Sequence, residues 1–215
     1  MTDQTTETTA DAIGFGYAEI AYLLKRMSTP EAEMSARVLR LTEEMQSDVL
    51  PVAGASSLLG RGFATVVDEE IEVGEAALPV AYALGRATLW TEITLIHDEI
   101  ADTVVHVESD PVSLLMQPRT LLTWFVFAQD PDVSGPDAEL EIVQEHVRQH
   151  PGGTAMLRAR VDGAESLLLV RPDGTKWAVG TVVEGEPDVV ERTGLTDHEL
   201  RDAIAELRTT VTSLP

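Results

Sequence analysis

Residues 154–183, TAMLRARVDGAESLLLVRPDGTKWAVGTVV, carry two Asp-Gly pairs, Asp162-Gly163 and Asp173-Gly174, set between apolar-rich runs. Asp-Gly readily adopts the left-handed backbone of a two-residue hairpin turn, so the stretch is predicted to be a three-strand antiparallel meander. Taking both pairs as the turn residues sets a register. Leu157 faces Leu168 and Val179, Ala159 faces Ser166 and Thr181, and Val170 faces Trp177, while Arg160 sits across from Glu165 on the other face. One face is then mostly apolar. If Met156, Leu167 and Leu169 are left uncovered, they supply a surface for a protein partner.

Segments on either side fit helices that would cover such a sheet. TGLTDHELRDAIAELRTTV, residues 193–211, opens with a Thr196/Glu199 capping box and aligns Leu200, Ile204, Leu207 and Val211 on one stripe. Upstream, a helix starting near Pro136 and capped by Ser134 or Gly135 carries a Leu140, Val143, Val147 stripe and stops at Pro151-Gly152-Gly153. Residues 88–96, 102–108 and 121–128 read as strands. LLTWFVFA, 121–128, is apolar on both faces, so it is expected to be central and covered on both sides. Nearer the start, helical spacing runs over 17–27 and again from Pro30 to about Gln46, with Thr29 as N-cap and Met34, Val38, Leu41 and Met45 in line. A short helix over 53–59, a small hairpin through RGFATVV and EEIEVG, and a helix near 75–84 complete the order.

These elements predict an α+β fold: a mainly antiparallel sheet of about five or six strands packed with helices, ending in the meander and a C-terminal helix. No βαβ alternation points to a doubly wound domain. Residues 1–12 are expected to be a disordered polar tail. Residues 13–215 are expected to form one domain, with a helical part over 13–86 and a sheet-rich part over 87–215.

Charge and composition narrow the function. Thirty-seven Asp and Glu against 15 Lys and Arg give a net charge of −22, which disfavours nucleic acid and anionic membranes as partners. There is no cysteine, so disulfides, thiolate chemistry and sulfur-based zinc sites are excluded. No apolar run is long enough for a membrane span, and MTDQTTETTADA lacks the features of a signal peptide. The expected location is cytoplasmic.

The densest group of reactive side chains lies in WTEITLIHDEIADTVVHVESD, residues 90–110. In a hairpin with residues 97–101 at its turn, Glu92 comes near His106 across the ladder, and this pair is the candidate polar site. His97 lies too far along the strands to join His106. His146 and His150 stand i, i+4, but HVRQH lacks the glutamate of the metalloprotease motif HExxH, and His150 suits the dipole at a helix end. Asp137, Glu139, Glu141 and Glu145 read as a solvated acidic face. No GxSxG elbow or GxxxxGK[ST] loop is present. The reading therefore assigns no catalytic residue, no cofactor and no metal ligand.

SLLGRGF, carrying Leu58, Leu59, Arg61 and Gly62, leads into the short hairpin, and the Ala77-to-Leu84 helix leads into a strand through ALPVAYALGRATLWTEITL. This order, with the final meander and helix, is similar to that of the EspG-type chaperones of actinobacterial type VII secretion. The resemblance implies an antiparallel α+β fold without a catalytic centre that binds folded helical PE–PPE-like pairs in the cytosol. The expected function is thus a non-catalytic protein-binding module, acting on a protein partner or as a homo-oligomer. The alternative is a small-ligand-binding domain, or an enzyme using Asp, Glu and His around Glu92 and His106.

Overall fold

The computed structural model describes residues 12–110, 112–182 and 189–212. Apart from Ala12, the polar segment 1–12 lies outside the described residues. Strand β1 (Ile13–Gly16) runs straight into helix α1 (Tyr17–Met27), whose Glu19 side chain turns back to accept from the Gly16 amide. Helix α2 (Pro30–Val38) starts where expected, with the Thr29 hydroxyl accepting from Ala32. It does not continue to Gln46. Arg40 takes a left-handed φ of 59° and breaks the stripe, leaving a separate one-turn helix α3 (Thr42–Met45).

Helix α4 (Leu50–Gly60) crosses α1 so closely that a Cβ on Gly54 would sit inside the Ala18 carbonyl. The small hairpin of β2 (Ala64–Val67) and β3 (Glu70–Val73) turns through Asp68 and Glu69, both at positive φ. Helix α5 (Leu78–Gly85) is tied in by a buried chain of hydrogen bonds: the Trp90 indole donates to the Ser35 hydroxyl, which donates to the Leu84 carbonyl.

The sheet-rich part begins with β4 (Ala87–His97), β5 (Ile100–Ser109), β6 (Ser113–Arg119) and β7 (Thr123–Ala128). Helix α6 (Gly135–Gln149) follows, capped by Ser134. A second meander then runs through β8 (Thr154–Val161), β9 (Ala164–Asp173), β10 (Lys176–Val182) and β11 (Val189–Leu195), and α7 (Asp197–Thr212) closes the order. The α+β class, the antiparallel sheet, the meander and the C-terminal helix are as predicted. The sheet is larger, with nine strands in the order β1-β7-β6-β5-β4-β8-β9-β10-β11.

Alternation along β4 and β5 separates two cores on opposite faces of this sheet. Trp90, Val105, Val107, Leu114 and Met116 pack under α1–α5. Ile93, Leu95, Leu157, Leu168 and Val179 pack under α6 and α7. The helices thus cover opposite faces of opposite halves. Each half of the sheet keeps one face partly open.

Three details depart from the expected strands. The first Asp-Gly pair is the turn, with Leu157 facing Leu168 as predicted. In the second hairpin Asp173 pairs with Lys176, so Gly174 and Thr175 turn instead. Val179 therefore faces Val170, and Thr181 faces Leu168, two residues from the predicted register. Among these two turn residues only Gly174 has positive φ, the sign pattern of a II′ turn with glycine first. A shift of two keeps every side chain on its face. Lastly, Leu121 and Leu122 belong not to a strand but to the β6–β7 turn, both at positive φ and both exposed. β7 is flanked by β1 and β6, yet its Phe125 is 37% exposed, so it is not covered on both faces.

Candidate metal centre

Glu92 and His106 are not brought together. The β4–β5 turn is the two residues Asp98 and Glu99, because His97 pairs with Ile100. Glu92 then pairs with Val105 and His106 with Thr91. This one-residue difference from the predicted register sends the two side chains to opposite faces. Glu92 is held between Arg40 at 3.1 Å and Arg160 at 3.2 Å, and Arg160 also reaches Glu165. That clamp joins the loop after α2 to β4 and β8.

His106, fully buried on the other face, bonds through Nδ1 to Glu139 at 3.0 Å. Glu139 is itself fully buried and does not belong to a solvated acidic face. The half-buried Arg208 of α7 pairs with both Glu139 and Glu108, closing a cluster of two carboxylates, a guanidinium and an imidazole. Gly135 makes room for it, since a Cβ there would collide with Glu108 and Arg208. The cluster is sealed between sheet and helices, and its geometry is that of a structural tie between α6, α7 and β5.

Met156, Leu167 and Leu169 do share one face, because Met156 pairs with Leu169, and Leu167 lies opposite Arg158. This is the half-face without a helix over it. Met156 and Leu167 are half-buried, while Leu169 and nearby Ile96 are 37% and 39% exposed. Ile96, Met156 and Leu169 line a shallow cavity of about 480 Å³ with Ala178 and Gly180.

The convergence that local sequence does not mark is a trio of histidines. His97 ends β4, and His146 and His150 stand one turn apart at the end of α6, which packs across that strand end. The His97 and His150 rings stack at 3.7 Å between centroids, 10° from parallel. His146 lies 5.5 Å from the first and 5.3 Å from the second. One nitrogen from each ring falls within 4.8 Å of the others. Helical i, i+4 spacing supplies two of the three on one face. The tight β4–β5 turn supplies the third.

The surroundings suit metal ligation. His146 Nε2 lies 3.1 Å from the Ile96 carbonyl. A neutral ring donating there has its lone pair at Nδ1, the carbonyl-to-histidine support common behind a metal. His97 Nδ1 is buried with no hydrogen-bond partner, although such atoms are ordinarily satisfied. Gly153 folds back over His146: a Cβ at that position would lie 2.6 Å from His146 Nε2. Zinc–nitrogen bonds of about 2.0–2.1 Å place tetrahedral ligand atoms about 3.3 Å apart, so the stacked His97 and His150 rings must turn apart to close the set.

A larger groove of about 630 Å³ runs from His146 and His150 along α6 and over β5, β6 and β7. No protein-family model matches the chain, and no curated protein matches it. Among the described residues, no helix is long and apolar enough to cross a membrane.

Proposed function

We propose that this protein binds a first-row transition-metal ion, with zinc the best fit, through His97, His146 and His150. The observation that carries the proposal is the approach of three imidazole nitrogens, one per ring, to within 4.8 Å. Imidazole suits zinc, copper, nickel and iron, and the absence of cysteine removes a soft-ligand preference. Three protein nitrogens leave a fourth position for water or a ligand, the pattern of sites that act on a bound molecule rather than of closed structural sites. This supports a function in the ligand-binding or enzymatic class.

Calorimetric titration of the chelator-treated protein with Zn²⁺ tests the reading. One equivalent should bind, and His146→Ala and His150→Ala should each weaken it by about 10- to 100-fold or more, the scale seen even for lost second-shell partners. His198→Ala, exposed at the start of α7, should not. Binding that persists unchanged in both ligand variants, or no stoichiometric binding at all, rejects the site.

The open half-face of Met156, Leu167 and Leu169 supports a second reading, a cytoplasmic protein-binding module such as the EspG-type chaperones. An apolar partner surface would cover these residues together with Ile96. Leu169→Glu should then abolish association seen by sedimentation, whether with a second copy or with a helical pair. Unchanged association in that variant removes this reading.

A further inference from the structure

The groove beside the histidines has a chemistry of its own. Its floor is apolar, made by Leu95, Val104, Leu115, Phe127 and Ile142, with Leu95 and Val104 buried and the others half-buried. Its polar rim carries four carboxylates beside Gln117, Gln129, Gln149 and the two histidines of α6. The carboxylates are those of Asp102, Asp130, Glu141 and Glu145, and no lysine or arginine lines it. Glu145 is shared with Arg148 on its own helix, whereas no ion pair is formed by Asp102, Asp130 or Glu141 among the described residues. Gln129 adds a further acceptor: its amide nitrogen donates to the Val133 carbonyl at 2.6 Å, which leaves its buried oxygen without a partner.

These features select a ligand class. Carboxylates without a matching cation repel an anion and favour a positive charge. A hydrated inorganic cation would gain nothing from a floor of five apolar side chains, whereas an alkyl or aryl body would. The volume of about 630 Å³ lies within the usual range for small-molecule sites. We infer that the groove between α6 and β5–β7 binds a small amphipathic organic cation, a primary amine on an apolar body, with the ammonium at the carboxylate rim and the body on the floor. The inference goes beyond the histidine site and rests on the groove's own lining.

The test titrates chelator-treated protein with hexylammonium, hexanol and hexanoate, followed by amide chemical shifts in NMR. Hexylammonium should bind saturably, with shifts along α6 and β5–β7, at least about tenfold tighter than hexanol, with hexanoate inactive. The combined variant Asp102→Asn, Asp130→Asn, Glu141→Gln should weaken the amine about tenfold or more while leaving hexanol unchanged. These three residues are on the exposed rim, so the fold should survive, and the variant's spectrum reports whether it does. Leu115→Trp should block both probes by filling the floor. Equal affinity for hexanoate, unchanged amine affinity in the combined variant, or binding by none of the probes overturns the inference. His97→Ala, outside the groove lining, separates the two claims. It should weaken zinc binding yet keep the amine in metal-free protein, so either proposal can fail alone.

Discussion

Arg201 of α7 donates from Nε to one carboxylate oxygen of Asp137 at 2.5 Å and from a terminal nitrogen to the other at 3.2 Å, tying the first turn of α6 to α7. The hydrogen bonds from Arg201 hold the Asp137 carboxyl below the ordinary carboxylate range. Hydrogen bonds from Thr196, the backbone amide first, do the same for Glu199 at the start of α7.

The first prediction is a pH dependence with a definite sign. A carboxyl whose folded pKa is depressed stabilises the fold above its unfolded value, near 3.9 for Asp and 4.3 for Glu, and loses that contribution as pH falls through the folded value. Asp137→Asn should therefore lower the urea midpoint between about pH 5 and 8, and the gap to the parent should close below about pH 4. The pair is solvent-exposed, so added salt should shrink the gap as well. A gap that widens on acidification would falsify this assignment.

The second prediction concerns the sealed cluster. Glu139→Ala leaves His106 and Arg208 without their shared acceptor and should cost about 3–5 kcal/mol in chemical denaturation, as for breaking a buried ion pair. Combined with Glu92→Ala, which acts on the opposite face, the effects should add to within about 0.5 kcal/mol. Strong coupling between the two would contradict the face assignment.

A third prediction is that Gly54→Ala destabilises. Glycine to alanine inside an exposed helix usually gains about 0.5–1 kcal/mol. Here the added Cβ meets the Ala18 carbonyl of α1, so the helices must part, with a cost of about 1–3 kcal/mol or more for overpacking. A raised melting temperature in this variant would show that α1 and α4 can separate freely.

The fourth compares two positions on α7. Ile204 is fully buried, so Ile204→Ala should cost about 2–5 kcal/mol. Arg201→Ala should cost less but not nothing, because it releases Asp137. Equal denaturation midpoints for both variants and the parent would place α7 outside the core.

Much of the architecture was legible in local chemistry. Asp162-Gly163, the Ser134 cap and the Thr196/Glu199 box each specify their backbone within a few residues, and the structure has all three. β6 is not among the strands read from the sequence, and its Pro118 argues against one. The proline is tolerated here because the β5 ladder ends at Met116, so its missing N–H faces no strand on that side. β1 is four residues long and contains two glycines, too little for a periodicity argument. The Glu92–His106 pairing failed on a single residue of turn length, to which face assignments are most sensitive.

The histidine site was half legible. The i, i+4 spacing of His146 and His150 was plain, but no local feature says that α6 packs against the end of β4. The third ligand depends on tertiary docking. The acidic stretch of α6 was misread for the same reason, since the burial of Glu139 depends on Arg208 arriving from α7.

The helices' placement on opposite faces of opposite halves bears on how the chain assembles. β4 and β5 lend side chains to both cores, and the β4–β8 ladder joins the first meander to the second. Each meander forms from neighbours in sequence, a quick process, while the ladder between them must close a long loop that includes β5–β7 and α6. The late event in folding is therefore expected to be the zipping of that seam. Native-state hydrogen exchange should show the β4–β8 amides opening together with both cores, as one cooperative unit. Separate opening of the C-terminal meander, with β4 still protected by β5, would instead mark the seam as a hinge between two folding units.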